Sequence, residues 1–199
     1  RDFAPVLYGN PGLEVDLGVG LWAWPLPLDV DGDGDLDLLV SCPDTPFGGT
    51  YLFENPGGGA FPTLRAPRRI DGARANVRLS RLDGKLVASV PWQVFPDFGS
   101  GGHGRGERVQ VEGPIWEPDL RIRANQWQFA DLNGDGLDDL VVGVGDWRDY
   151  GWDNAFDAQG NWTKGPLRGY VYWVPNVGAK GAPKFAGAAK LAAGEAPLE

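Results

Sequence analysis

Asp29, Asp31, Asp33, Asp35 and Asp37 occupy alternate positions of one stretch, Asp29-Val30-Asp31-Gly32-Asp33-Gly34-Asp35-Leu36-Asp37, which runs straight into Leu38-Leu39-Val40. Carboxylates so closely spaced repel one another unless a cation sits among them. Calcium takes about six to eight hard oxygen ligands, and a loop with Asp at positions 1, 3, 5 and 9 and a main-chain carbonyl at 7 supplies most of them. Gly34, at position 6, permits the sharp turn. A second copy begins 102 residues later, as Asp131-Leu132-Asn133-Gly134-Asp135-Gly136-Leu137-Asp138-Asp139 followed by Leu140-Val141-Val142. Leu137 stands where only the main-chain oxygen is required. Two Ca2+ sites are expected, one held by Asp29, Asp31, Asp33, Asp35 and Asp37, the other by Asp131, Asn133, Asp135, Leu137 and Asp139.

The segments that must position these loops are strands. An EF-hand closes with a bidentate Glu at position 12 between two helices, whereas position 12 here is Val40 or Val142. Each copy enters a short apolar run rich in Leu and Val, the signature of a buried strand. The pattern Asp-x-Asp-Gly-Asp-Gly-x-x-Asp-Leu-Val-Val resembles the FG-GAP/VCBS family of calcium-binding repeats, whose animal relatives include the heads of integrins. The resemblance implies β-propeller blades of four antiparallel strands, with the calcium loop linking the first two strands of a blade. It also implies an extracellular, cell-surface or periplasmic setting and a role in binding.

Internal repetition supports about three blades. Repeat one spans about 18–70, with strands at Leu21–Leu28, Leu36–Ser41 and Thr50–Glu54, then Asn55-Pro56-Gly57-Gly58-Gly59 and a final strand. Repeat two, about 71–122, is degenerate: Leu82-Asp83-Gly84-Lys85-Leu86-Val87 occupies the loop position, and Lys85 stands where Asp33 would. An ammonium in place of a ligand predicts a hairpin without calcium. Repeat three, about 123–193, carries the second loop and a turn at Asn176-Val177-Gly178. Residues 1–17 read as the outer strand of a preceding blade. Propellers usually close with four to eight blades, so the 199 residues are expected to form part of a larger single propeller. The chain starts at Arg1 and contains no Met, which reads as a processed product or a piece of something longer.

Between its middle strands repeat three holds an insertion, Trp147-Arg148-Asp149-Tyr150-Gly151-Trp152-Asp153-Asn154-Ala155-Phe156-Asp157 through Trp162-Thr163-Lys164. Flat aromatic faces beside carboxylates suit stacking on sugar rings while their hydroxyls are hydrogen-bonded. Trp147, Tyr150, Trp152, Trp162 and Asp153 are therefore the candidate ligand-binding residues. Trp22, Trp24, Trp127 and Trp173 are read as strand and core. An enzymatic alternative, cleavage of a polysaccharide by a lyase or hydrolase, would use His103 as general acid or base. Arg105 would neutralise a uronate, and Asp149 would be a further participant. The same Gly-rich segment matches Gly-x-Gly-x-x-Gly, but without a βαβ unit around it the match carries no nucleotide reading. Asn161-Trp162-Thr163 fits a glycosylation acceptor in a eukaryotic source.

Charge and composition narrow the classes. The formal charge is −9. Nine of the 27 acidic residues lie in the two loops, which contain no Lys or Arg, so acids and bases balance elsewhere. No basic run marks a nucleic-acid partner, and no apolar run approaches membrane-spanning length. Thirty-one Gly and 17 Pro suit many short strands and tight turns. The lone Cys42 forms no internal disulfide and reads as a small buried hydrophobe. The expectation is a calcium-stabilised interaction module with a glycan or protein ligand, joined to other blades or domains of a longer chain, with the question of catalysis left open but leaning against an enzyme. Polysaccharide cleavage and plain scaffolding are the alternatives.

Overall fold

The structure, a computed structural model, describes residues 5–10, 13–16, 18–57, 62–98, 104–150, 155–165, 168–194 and 196–197. Strands dominate it, and the described residues contain no α-helix. Three sheets have four strands each, in chain order across the sheet. The first joins Trp24–Leu28, Asp37–Cys42, Gly49–Phe53 and Arg68–Asp71. The second joins Arg78–Leu82, Lys85–Val90, Gln93–Phe95 and Glu107–Arg108. The third joins Ile122–Ala130, Asp139–Asp146, Arg168–Val174 and Ala189–Lys190. The all-β class and the four-stranded antiparallel sheets agree with the sequence reading. Leu7–Asn10 is also a strand, paired with Leu13–Asp16 on one side and, in parallel, with Leu64–Arg65 on the other.

The chain forms two compact units, Arg1–Leu79 with Leu86–Glu107, and Ser80–Lys85 with Arg108–Glu199. In the first unit the pleat of Trp24–Leu28 sends Trp24, Leu26 and Leu28 to one face and Pro25 and Pro27 to the other. Registers of Leu26 with Leu39 and Leu39 with Leu52 extend the first face. That face is buried against Val77, Ala88, Phe95 and Phe98. Val40 and Phe53, on the opposite face, pack with Leu64, Tyr8 and Val19.

In the second unit the third sheet also buries one face of its central strands. Trp127 and Phe129 pair with Val142 and Leu140, which pair in turn with Tyr172 and Val174, and all six are buried. Phe185 closes on Phe129, with ring centroids 5.8 Å apart. The other face carries Gln126, Val141, Gly143 and Val171, all only half-buried, and Gln126, Gly143 and Val171 help to line a shallow trough of about 410 Å3.

One core assignment fails. Trp22 lies before the first strand, is 54% exposed and has φ 60°. The strand starts three residues later than the apolar pattern suggests, because the chain at Gly20 and Leu21 runs tightly past Cys42: the Cys42 thiol bonds the Leu21 carbonyl at 3.0 Å. Trp24 and Trp127 are buried as expected, and Trp173 is half-buried. Cys42 is fully buried and unpaired with any other cysteine.

Candidate metal centre and aromatic insertion

Each acidic loop joins the first two strands of its sheet, and each is folded by its own carboxylates. In the first, Asp29 accepts the amides of Gly32 at 2.7 Å and Gly34 at 3.1 Å. Asp31 accepts Asp33 N at 3.2 Å and Asp33 accepts Asp35 N at 2.9 Å. In the second, Asp131 accepts Gly134 N at 2.7 Å and Gly136 N at 2.9 Å. Asn133 accepts Asp135 N at 2.9 Å and Asp135 accepts Leu137 N at 2.8 Å. Gly34 and Gly136 have φ of 93° and 86°, in the left-handed region where a side chain is strained. The side-chain oxygens thus fold each loop back on itself through its own amides.

Position 9 is the anchor of both loops. Asp37 is 3% exposed and accepts Val30 N at 2.9 Å and Asn55 N at 2.8 Å. Asp139 is fully buried and accepts Leu132 N at 3.2 Å and Asn176 N at 2.8 Å. Asn55 and Asn176 return the contact to the loops, bonding the carbonyls of Leu36 and Asp138 at 3.1 and 3.2 Å. Each also accepts the amide of the glycine two residues on. Sequence reading marked these Asn-x-Gly turns as repeat features without assigning them this link to the loop.

One carboxylate oxygen each from Asp29, Asp31 and Asp37 lie within 4.8 Å of one another. Two oxygens bound to one calcium at roughly 2.3–2.6 Å stand at most about 5 Å apart. The donor set, hard and negatively charged, thus fits a divalent cation of that size. Asp33 is exposed and Asp35 half-buried beside this trio. The Asp31 carboxyl is raised above its ordinary range: the Asp33 amide opposes the shift, but desolvation and repulsion from Asp33, Asp37 and Asp29 prevail. In the second loop, Asp131, Asn133 and Asp135 are exposed and Leu137 is half-buried.

The degenerate repeat forms a two-residue hairpin turn, with Asp83 at φ 52° and Gly84 at φ 79°. Asp83 has a role that the sequence did not disclose. Its amide bonds the Asp138 carboxylate at 2.7 Å, and its own carboxylate accepts Gly181 N at 2.9 Å.

The insertion folds on an ionic anchor. Asp146, 5% exposed, accepts the amides of Arg121 and Arg148 and the Arg148 Nε, the last at 2.7 Å. Burial opposes its charge, but the donors of Arg148 and Arg121 prevail and lower its pKa. Arg148 also pairs with Asp119. Beyond this anchor the Arg123 guanidinium lies 4.3 Å from the Trp147 ring centroid, and Trp147 stacks on Tyr150 at 4.1 Å. Tyr150 meets Trp162 at 6.1 Å, and Trp162 meets Phe156 edge-on at 5.4 Å. Trp147, Tyr150 and Trp162 are half-buried by this mutual stacking, while Phe156 is 62% exposed. Asp149 is exposed beside Gly165, and the Trp162 indole bonds the Gly165 carbonyl at 2.8 Å. Trp152, Asp153 and His103 lie outside the described residues; Arg105 is exposed.

A second polar cluster escaped sequence reading because its members lie far apart in the chain. Glu117 takes a hydrogen bond from the Tyr172 hydroxyl and an ion pair from Lys190 at 2.7 Å. Lys190 also sits 4.0 Å from the Tyr170 ring centroid. A cleft of about 450 Å3 in the first unit, walled by Val6, Pro27, Leu36, Leu38, Leu64 and Asp37 among others, is chiefly apolar. Among the described residues no helix is long and apolar enough to cross a membrane. Comparison with family models, curated proteins and solved structures gives no match for this chain.

Proposed function

We propose that the chain is a calcium-stabilised β-propeller segment that serves as an extracellular or cell-surface interaction module. The observation that carries this reading is the twofold occurrence of one lattice: the same Asp-to-amide bonds, the same left-handed glycines and the same buried Asp joined to an Asn, 102 residues apart in the sequence. Three meandering four-stranded sheets in succession support the propeller reading. Calcium in each loop would neutralise the clustered carboxylates and tie the first two strands together. The ligand is a glycan or a protein, and the insertion is its seat, with the open ring of Phe156, the half-buried Trp162 against it and the exposed Asp149 carried on one segment.

Thermal unfolding in millimolar calcium and in chelator tests the metal. Extracellular modules bind calcium at roughly 0.1–1 mM, so saturation should add about 0.5–1.5 kcal/mol per site. Asp33→Ala with Asp135→Ala should abolish the difference. Equal melting in calcium and chelator for the unaltered chain would remove the calcium assignment. Binding of neutral and acidic oligosaccharides, read with Phe156→Ala and Asp149→Asn, tests the seat.

A further inference from the structure

We infer that the two calcium loops are unequal: the first is the tight site and the second a weak one, attenuated by Trp173 and Asn133. This rests on the calcium reading above and concerns what each loop's own residues do toward the ion.

At positions 1, 3, 5 and 9 the first loop presents four carboxylates, Asp29, Asp31, Asp33 and Asp37, with Asp35 as a fifth at position 7. The second presents three, Asp131, Asp135 and Asp139, with the neutral Asn133 at position 3. Affinity in such loops follows ligand charge, and this difference alone favours the first.

Existing hydrogen bonds add to it. A carboxylate has about four lone-pair directions. Asp37 gives two of them to backbone amides. Asp139 gives up three, because the Trp173 indole Nε1 bonds its Oδ2 at 2.7 Å in addition to the two amides. Asn133 Nδ2 likewise bonds Asp135 Oδ2 at 2.8 Å, so a donor inside the loop engages a second ligand oxygen. In the first loop the corresponding residue is Asp31, a carboxylate with no side-chain N–H to give to Asp33. The first loop relieves its repulsion by taking up a cation. The second relieves it internally, with an amide and an indole standing where cation charge would act. Asp138, bonded to the Asp83 amide, further fixes the second loop in this self-satisfied form.

Calorimetric titration of the whole chain with calcium decides it. Two phases are expected, with dissociation constants at least tenfold apart; Asp33→Asn should remove the tighter and Asp135→Asn the weaker. Trp173→Phe should tighten the weaker phase several-fold and leave the tighter one unchanged. Asn133→Asp, an exposed substitution that leaves the core alone, should do the same through added charge. Terbium luminescence excited through tryptophan supplies a second readout: emission from the second loop, next to Trp173, should rise only in the weaker phase and fall with Trp173→Phe. Equal affinities, a tighter second loop, or no gain in either variant would overturn the inference while leaving the calcium reading intact. Absence of any binding would overturn both.

Discussion

The first and third sheets share their register around the loop, yet they place their apolar weight on opposite faces. Residues 24–28 of the first sheet correspond to 126–130 of the third, position for position before each acidic loop. Trp24 and Leu26 become Gln126 and Gln128, whereas Pro25 and Pro27 become Trp127 and Phe129. The burial follows the exchange: Trp24 and Leu26 are buried and the two prolines exposed, while Trp127 and Phe129 are buried and Gln128 exposed. Period-2 alternation fixes only that one face of a strand differs from the other. Which face is buried depends on the neighbours, and glutamines mark the face that the third sheet leaves to solvent. An equivalent pair of residues should therefore have unequal energetic weight.

Leu39 and Val141 are such a pair, each two residues beyond position 9 of its loop. Leu39 is fully buried among Trp24, Val77, Phe95 and Phe98. Leu39→Ala should destabilise the first unit by about 2–5 kcal/mol, the usual result of leaving a cavity in a packed core. Val141→Ala, at a half-buried position on the glutamine face, should change stability by less than about 1 kcal/mol. Chemical denaturation of both variants measures the contrast. Equal losses would mean that the two faces are equally packed.

The buried loop carboxylates sharpen the comparison at the next level of effect. In metal-free buffer Asp139→Ala should cost about 2–4 kcal/mol, because Leu132 N, Asn176 N and Trp173 Nε1 lose their acceptor together. Asp37→Ala deprives only Val30 N and Asn55 N and also relieves repulsion with its neighbours, so its loss should be smaller. Added calcium should reverse that order, since Asp37 belongs to the more highly charged loop. Denaturation midpoints with and without calcium give the four values needed.

Much of this was legible in the sequence. Alternate Asp residues running into Leu-Leu-Val and Leu-Val-Val placed both loops before strands, and Asn55 and Asn176 marked the turns that the structure ties to them. Lys85 and the shortened loop announced the hairpin at Asp83. What stayed hidden depends on chain segments meeting from a distance. Nothing near Asp83 points to Asp138 or Gly181, and Trp173 looks like any strand tryptophan until its indole is seen on Asp139. The aromatic insertion was visible as composition alone. That its described rings stack chiefly on one another, with Phe156 the most open among them, follows from a fold of the segment that no periodicity encodes.

The smallest effect expected separates the two units by pH. Tyr172, Lys190 and Glu117 all belong to the second unit, and no acidic loop takes part in their contact. Hydrogen bonds from Lys190 and then Tyr172 hold the Glu117 carboxyl down to about 2. A carboxyl whose folded pKa lies below its unfolded value near 4.5 contributes stability that is fully present above that value and lost as pH falls toward 2. Because the Glu117 side chain is 47% exposed, solvent screens the pair, and the contribution should be below about 1 kcal/mol. On the alkaline side, burial and the same carboxylate raise the Tyr172 phenol, so stability should also decline as pH rises past the ordinary tyrosine range near 10. Glu117→Gln should flatten the acid limb of the second unit's unfolding profile, taken in chelator so that loop carboxylates do not bind metal, and leave the first unit's unchanged. An acid limb as steep in Glu117→Gln as in the unaltered chain would assign the loss to another lowered carboxyl of the same unit, with Asp146 as the group to remove next.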